Sequence, residues 1–216
     1  MKLKAVLASM LVAVGSIAAA SCPSLYPNNV PLNVASTIEL CNSFFVVRYD
    51  VERHASVLTS EIVRPIEAPS RVNAFHADPR EPYVTPSDYA RTGYDKGHMT
   101  PSGDATTAQE MAETFAMTNM TPQQPTVNRE SWKDLEEQIR HRVQQIGKPV
   151  YVITGAVYSQ PLKFIGHNND IPVPSGYYKV VYYPDGIQTF YANNVPNSPV
   201  LPYTGNIQKL LTNTVQ

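Results

Sequence analysis

Two polar clusters in the middle of the chain carry residue types that could perform hydrolytic chemistry together. In the first, at 94–102, His98 follows a glycine, and an imidazole titrates near neutral pH and can take a proton from water. The second runs from Asn119 to a stretch that begins at Asn128 and contains Glu136. Mg²⁺ prefers oxygen ligands and keeps several of its waters, so one amide beside one carboxylate can serve it. With nearby cations for phosphate, these residue types suit phosphodiester hydrolysis.

These segments resemble the DNA/RNA non-specific endonuclease family, whose sites use a ββα-metal arrangement and whose signature is Asp-Arg-Gly-His. The chain has Asp-Lys-Gly-His at 95–98, and the similarity extends from about Arg71 to Arg140. Four residues of this kind also describe an ordinary turn. Agreement of the second cluster, at the spacing of the family, distinguishes the match from such a turn.

The resemblance implies roles for four residues of the two clusters. His98 matches the general base of the family, and Asn128 matches its direct ligand for one Mg²⁺, with Mn²⁺ or another divalent ion as alternatives. Glu136 is implied to orient a metal-bound water and Arg140 to contact phosphate. The residues alone favour plainer roles: Asn128 as a helix N-cap, and Glu136 with Arg140 as a surface ion pair at four-residue spacing.

Four further residues are less directly matched. Arg71 corresponds to a family arginine that stabilises transition-state charge, and Arg80 is the alternative, because gaps in this loop cannot be placed from one sequence. Lys96 stands where the family usually has arginine, so this catalytic cation keeps its charge but lacks the planar two-pronged contact. Asn119 matches an Asn-x-x-Pro-Gln stretch of the family, which implies that it shapes the site through hydrogen bonds. Asn119 and Arg80 are expected on the substrate-binding side of the site.

The function implied by the resemblance is that of a sugar-non-specific endonuclease that cleaves DNA and RNA and leaves 5′-phosphate ends. Contacts to sugar and phosphate carry no sequence information, so little base selectivity is expected. Two other classes stay open: a catalytically weak extracellular nucleic-acid-binding protein, suggested by Lys96, and a structural or interaction domain in which 95–98 is only a turn. The sequence contains no G-x-S-x-G, H-E-x-x-H or P-loop motif, which excludes the hydrolases that use them.

The first twenty residues have the features of a signal peptide. Two lysines precede a short apolar run that ends in a small-x-small pattern at 18–20. That run is too short to favour a membrane span, and no later segment suits one, so we expect a secreted or periplasmic protein. The mature chain, 21–216, has the length of one nuclease domain. Its 15 basic and 18 acidic residues give a charge of −3, which argues against tight, passive nucleic-acid binding.

The two cysteines offer two interpretations. In an oxidising compartment, a disulfide between Cys22 and Cys41 is favoured. The rival is a lipid anchor on Cys22, because residues 19–21 resemble a lipoprotein cleavage box. No sequence feature indicates the oligomeric state.

The secondary structure that must position the clusters is an uneven mixture of strands and helices. The segment 21–33 suggests an extended arm, and 65–86 a long loop that contains Arg71 and Arg80. A short helix is expected at 109–113, followed by a buried strand at 114–117. Further strands are predicted at 44–49, 54–63, 150–154, 177–183 and 187–191.

The clearest helix is predicted to start at Asn128 and to end at Gly147. Its apolar residues recur at intervals of three and four: Trp132, Leu135, Ile139, Val143 and Ile146. Glu136 lies eight residues after Asn128, which is about 80° around an α-helix at roughly 100° per residue. Together the elements predict an α+β fold with a central, mostly antiparallel sheet flanked by helices.

Overall fold

The computed structural model describes residues 21–206 and residue 210. The predicted signal peptide, 1–20, lies outside the described residues, as do 207–209 and 211–216. The strands are β1 (Ile38–Cys41), β2 (Phe45–Asp50), β3 (Ala55–Val63), β4 (Asp95–His98), β5 (Met120–Gln123), β6 (Val150–Val157), β7 (Lys163–Ile165), β8 (Ile171–Val173), β9 (Gly176–Tyr183), β10 (Gly186–Asn193) and β11 (Leu201–Pro202). The α-helices are α1 (Ala108–Thr114) and α2 (Trp132–Ile146).

Seven strands form one antiparallel sheet in the order β1-β2-β3-β6-β9-β10-β11, while β4 pairs with β5 and β7 with β8. The central strands β3, β6 and β9 are buried along almost their whole length. Both faces of these strands are therefore covered, which explains their long β-branched and aromatic runs. The predicted α+β class with a mostly antiparallel sheet is confirmed.

Helix α2 covers one face of the sheet. Its buried stripe of Trp132, Leu135, Ile139 and Val143 packs in one core cluster with strand residues that include Val152, Tyr177 and Val181. The left-handed Gly147 ends the helix, as the sequence predicts. The opposite face packs against N-terminal residues: Leu32 and Val34 lie in the cluster that contains Val57, Ile153 and Val180.

Strands β4 and β5, followed by the helical segment that contains α2, form the ββα unit. Gly97 is paired with Thr121 in this hairpin. A glycine before His98 could have marked a sharp turn, but Gly97 lies within strand β4. It is needed instead for close approach, since a Cβ at this position would collide with the side chain of Gln123.

Two local predictions are corrected by the structure. The segment 114–117 is buried but does not form the predicted strand: the amide of Met117 donates to His76, whose own amide donates to Phe115, and a 3₁₀ turn, Met117–Asn119, follows. The arm at 21–33 is not simply extended, because proline starts two short 3₁₀ turns, Pro23–Leu25 and Pro27–Asn29. The long loop 65–86 is present largely as predicted.

A disulfide joins Cys22 to Cys41 and ties the arm to the end of β1. Tyr26 is fully buried and packs in a small cluster with Leu25 and Val46. Within the described part of the chain, no helix is both long and apolar enough to cross a bilayer.

Candidate active site

A cleft of about 640 Å³ opens between the loop before β4, strand β4 itself and the helical segment that leads into α2. Its walls contain residues from both polar clusters and from the preceding loop. Six of the residues predicted for the site line it: Arg71, Lys96, His98, Asn128, Glu136 and Arg140. The ββα unit and the loop before it therefore bring together side chains that are up to 69 positions apart in the sequence.

His98 ends strand β4 with its ring enclosed by two aromatic side chains. The ring lies edge-on to Phe115 at 5.0 Å and tilted against Phe75 at 5.7 Å. Its Nε2 atom is buried and has no hydrogen-bond partner among the described residues. Burial lowers the pKa of His98 to about 3, and the positive charge of Arg71 acts in the same direction. The imidazole is therefore neutral near pH 7 and keeps a lone pair that can accept a proton.

Asn119 holds the chain that follows His98. Its Oδ1 accepts from the amide of Thr100 at 3.0 Å, and its Nδ2 donates to the carbonyls of Thr100 and Thr114 at 2.9 Å. The side chain is fully buried. Direct contact with a substrate, as the sequence suggested, is not available to Asn119, and its bonds can shape the site only through the backbone beside His98.

The two arginines considered for the long loop occupy different environments. Arg71 lines the cleft, with its guanidinium 5.4 Å from the ring centre of Phe115 and its Nε donating to Asn73. Arg80 is not among the residues that line the cleft. It donates to Asp78 and to the carbonyl of Cys41, which ties the loop to β1. The geometry therefore favours Arg71 over Arg80 as the arginine of the site.

Asn128 lies inside a helical segment and does not cap it. Its amide donates to the carbonyl of Gln124 at 2.9 Å, whereas the amide of an N-cap residue precedes the helical hydrogen bonds. The N-cap alternative is therefore wrong. Its side-chain Nδ2 donates to Asp95 at 2.9 Å, which leaves Oδ1 as the oxygen that a metal could use.

The helix widens where Asn128 enters the cleft. Residues Val127–Ser131 form a π turn, in which the amide of Trp132 bonds the carbonyl of Val127. A turn closed over five residues advances each residue by less than the roughly 100° of an α-helix. In a regular α-helix, Asn128 and Glu136 would point about 80° apart around the helix axis. The π turn reduces this angle, because the four residue steps from Asn128 to Trp132 each rotate by less. Asn128 is therefore turned toward the face that carries Glu136. Single π turns of this kind occur frequently at functional sites.

Asp95 organises the first turn of this helix. Its carboxylate accepts from Asn128 and also from Arg129, through Nε at 2.8 Å and Nη2 at 2.6 Å. Burial alone would raise the pKa of Asp95, but these hydrogen bonds and the charges of Arg129 and Lys96 outweigh it and hold the pKa below its usual range. Asp95 is therefore ionised at neutral pH and fixes the orientation of the Asn128 amide.

Lys179, to which the sequence motifs assign no functional role, connects the two clusters from beneath the cleft. This side chain of β9 is 1% exposed. Its Nζ donates to Thr154 at 2.7 Å and to the carbonyl of Met99 at 3.4 Å, and it lies 3.7 Å from Oε1 of Glu136. One buried cation thus contacts both the residue after His98 and the carboxylate of α2. A lone lysine inside the apolar run 177–183 was the only signal in the sequence.

Further acids surround Lys179. Arg140 pairs with Asp104 at 3.1 Å rather than with Glu136, so the predicted surface pair is not formed. Burial raises the pKa of Glu136 to about 7, with the charge of Lys179 opposing that rise. Burial also raises the pKa of Glu61 well above its usual range, and nearby Asp104 adds to that shift.

Most of the aromatic side chains of α2 and β9 belong to the core. Trp132, Tyr177, Tyr178 and Tyr183 are all buried, and Trp132 packs on Tyr177 with ring centres 5.7 Å apart. Stacking of nucleic-acid bases on these rings is therefore not available in this conformation.

Comparison with known proteins agrees with this arrangement. The sequence pattern of the DNA/RNA non-specific endonuclease family matches residues 24–213. A nuclease from Nostoc sp. strain PCC 7120 is 41% identical over 131 residues, which are 55% of this chain and 46% of the relative. Human mitochondrial endonuclease G is 26% identical over 146 residues, covering 61% and 47% of the two chains. The chain thus spans about half the length of the curated relatives it matches.

The fold is also found in a solved structure. A chain in the crystal structure of the EndoG/EndoGI complex superimposes with a TM-score of 0.67, covering 79% of this chain and 82% of that one at 24% identity. At this identity the likeness establishes the fold alone. Because the family pattern covers nearly all of the described residues, the protein belongs to the DNA/RNA non-specific endonuclease family.

Proposed function

We propose that this protein is a metal-dependent endonuclease that hydrolyses both DNA and RNA. One observation carries the proposal: His98, Asn128, Glu136 and cationic side chains line a single cleft within the fold of a nuclease family. The rival interpretation as a structural domain does not account for this convergence, because the segment 95–98 is a strand facing the cleft and not an isolated turn.

The side chains of the cleft fit a hydrated divalent ion such as Mg²⁺. Asn128 offers Oδ1, since Asp95 engages its Nδ2, and Glu136 supplies a carboxylate on the same wall. Mg²⁺ is often held by one or two protein oxygens together with waters. Cys22, Glu39 and Cys41 also lie close enough together to ligate a metal, but the disulfide engages both sulfurs. A bound ion would act as a Lewis acid on the scissile phosphate.

His98 would act as the general base. Its imidazole is neutral in the free protein and takes a proton from the attacking water. A phosphodiester placed between His98 and Arg71 would offset the positive charge that disfavours the imidazolium, so substrate binding would raise the pKa of the base toward a useful value.

The remaining side chains would position water and stabilise charge. Glu136 orients the water, while Arg71 and Arg140 offset the charge that develops on the phosphate in the transition state. Lys96 adds a further positive charge, its Nζ lying 4.8 Å from the ring centre of Phe75. Departure of the 3′ oxygen would leave 5′-phosphate ends.

These side chains would contact the phosphates of the nucleic-acid backbone and not the bases, which supports activity on both DNA and RNA.

We also propose a secreted or periplasmic location, since a disulfide such as Cys22–Cys41 persists in an oxidising compartment. The disulfide disfavours the lipid-anchor alternative, because Cys22 is already bonded.

The test is incubation of the purified protein with plasmid DNA and with RNA, in Mg²⁺, in Mn²⁺ and with chelator. Cleavage of both substrates that chelator abolishes is expected. Binding without cleavage in either metal would support the alternative of a nucleic-acid-binding protein and overturn the proposal.

His98→Ala should lower turnover by about 10²–10⁴-fold, because general-base catalysis is worth roughly that much. His167→Ala is the matched control, since that imidazole is 70% exposed and lies near Asp88, outside the cleft. Near-parental turnover by a folded His98→Ala variant would remove His98 from the mechanism.

A further inference from the structure

Arg129 is a cation of the cleft that the mechanism above does not use. It follows Asn128 within the π turn and lines the cleft, with 68% of its side chain exposed. Its position places a positive charge on the wall of the cleft, next in sequence to the proposed metal ligand Asn128.

The guanidinium of Arg129 is held by one edge only. Asp95 accepts from Nε at 2.8 Å and from Nη2 at 2.6 Å, and the described residues provide no other hydrogen bond to this side chain. Of its five N–H donors, two are therefore engaged. The remaining Nη1/Nη2 edge keeps the geometry that matches two phosphate oxygens.

Fold stability does not explain this arrangement. An ion pair as exposed as that of Arg129 contributes little to the stability of a fold, because water and salt screen it. Its effect is instead to hold a long, flexible side chain in one orientation before a ligand arrives, which reduces the entropy lost on binding.

Lys96, the neighbour of Asp95, cannot make the same contact. Its ammonium lies 4.8 Å from the ring centre of Phe75 and 6.0 Å from that of Tyr89, and an ammonium acts as a point charge without a planar pair of donors. We propose that Arg129 binds a backbone phosphate of the nucleic acid through its Nη1/Nη2 edge, supplying the bidentate contact that Lys96 does not. This inference rests on the proposed function, because it assumes a nucleic-acid ligand in the cleft.

Equilibrium binding tests the inference without requiring catalysis. The anisotropy of a fluorescent DNA duplex is measured in chelator at increasing salt concentration, for the parent and for Arg129→Gln. The variant should bind about 10-fold or more weakly, because it loses a pair of charge-assisted hydrogen bonds to the phosphate. The slope of log affinity against log salt should fall by about 0.9, as expected for one lost phosphate contact.

Two further variants separate a bidentate contact from charge alone. Arg129→Lys should keep the salt slope of the parent but bind more weakly. Arg53→Gln is the matched control, because Arg53 is 49% exposed, pairs with Asp50 at 3.1 Å and lies outside the cleft. The affinity of Arg53→Gln for DNA should stay within about twofold of that of the parent, since this variant removes the same charge outside the cleft.

Adding Lys96→Arg to the Arg129→Gln variant should recover part of the lost affinity, since it restores a guanidinium with two parallel N–H donors beside Asp95.

Parental affinity and salt slope in Arg129→Gln would overturn the proposal, as would an equal loss in Arg53→Gln. Arg129→Gln could also need more Mg²⁺ for cleavage while its affinity for DNA in chelator equals that of the parent. That result would overturn the proposal too, because Arg129 would then act only through Asp95 and Asn128. If the parent binds DNA but never cleaves it, the proposed function fails while the role of Arg129 is still decided by binding.

Discussion

The π turn and Asp95 together give the Asn128 side chain its orientation toward the cleft. Because the structure excludes an N-cap role, Asn128→Ala removes no capping bond, and the expected effect is on metal affinity. The Mg²⁺ concentration for half-maximal cleavage should rise about 10-fold or more, with little change in Tm. A Mg²⁺ titration of initial rates checks this, and a Tm loss with unchanged Mg²⁺ dependence would contradict it.

Glu136 should control the acid side of the pH profile of cleavage. Its raised pKa of about 7 means that the carboxylate protonates as pH falls through neutrality, so kcat/KM should fall there. His98, with a pKa lowered to about 3, does not titrate in that window in the free protein. Glu136→Gln should therefore lower the rate and flatten the profile near pH 7.

Glu137→Gln is the control for that profile, because Glu137 is an adjacent, exposed carboxylate that pairs with Lys133 at 3.2 Å. Its acid limb should match that of the parent. A limb near pH 7 that persists in Glu136→Gln would show that another group sets it.

At the scale of elements, the N-terminal arm depends on the disulfide for its attachment to β1. The double substitution of Cys22 and Cys41 by serine frees a loop closed over a separation of 19 residues. In the chain-entropy model such closure contributes roughly 3 kcal/mol to the free energy of unfolding. Denaturant unfolding of the parent and of the double variant measures the difference.

The cleft should be little affected by that loss, because the cysteines do not line it. Cleavage at a temperature where both proteins are folded should stay near the parental rate. Unchanged stability in the double variant would show that the packing of Tyr26 and Leu25 alone holds the arm.

At the scale of the whole molecule, a buried ionic cluster lies where the sheet meets α2, and it makes stability depend on pH. The pKa of Glu61 is raised by burial in the folded state, so the folded protein binds a proton that the unfolded chain releases above about pH 4.5. Stability from this group is therefore present at low pH and decreases as pH rises toward the folded pKa.

Glu61→Gln removes that titration. The Tm of the variant should change less than that of the parent as pH rises above about 4.5, and it should become the higher of the two at high pH. Differential scanning calorimetry across this range measures both trends. An equally steep decline in the variant would place the pH dependence in another group.

Much of the fold was determined by local sequence. The stripe of Trp132, Leu135, Ile139 and Val143 predicted α2, and runs such as 177–183 predicted the central strands, because periodicity reports directly which faces are buried. The two polar clusters were equally evident, since His98 and Asn128 each lie in a compact motif.

Other features were decided only by the tertiary structure. The choice of Arg71 over Arg80 depends on the path of a long loop, which contacts distant in sequence determine. The π turn leaves the apolar stripe intact, so no periodic signal revealed that Asn128 rotates toward Glu136. Lys179 was missed because only its contacts with Met99 and Glu136 link it to the site. These residues lie 80 and 43 positions away in the sequence, so no local pattern indicates the contacts. Local patterns specify which elements form, whereas packing between remote segments decides which side chains share the site.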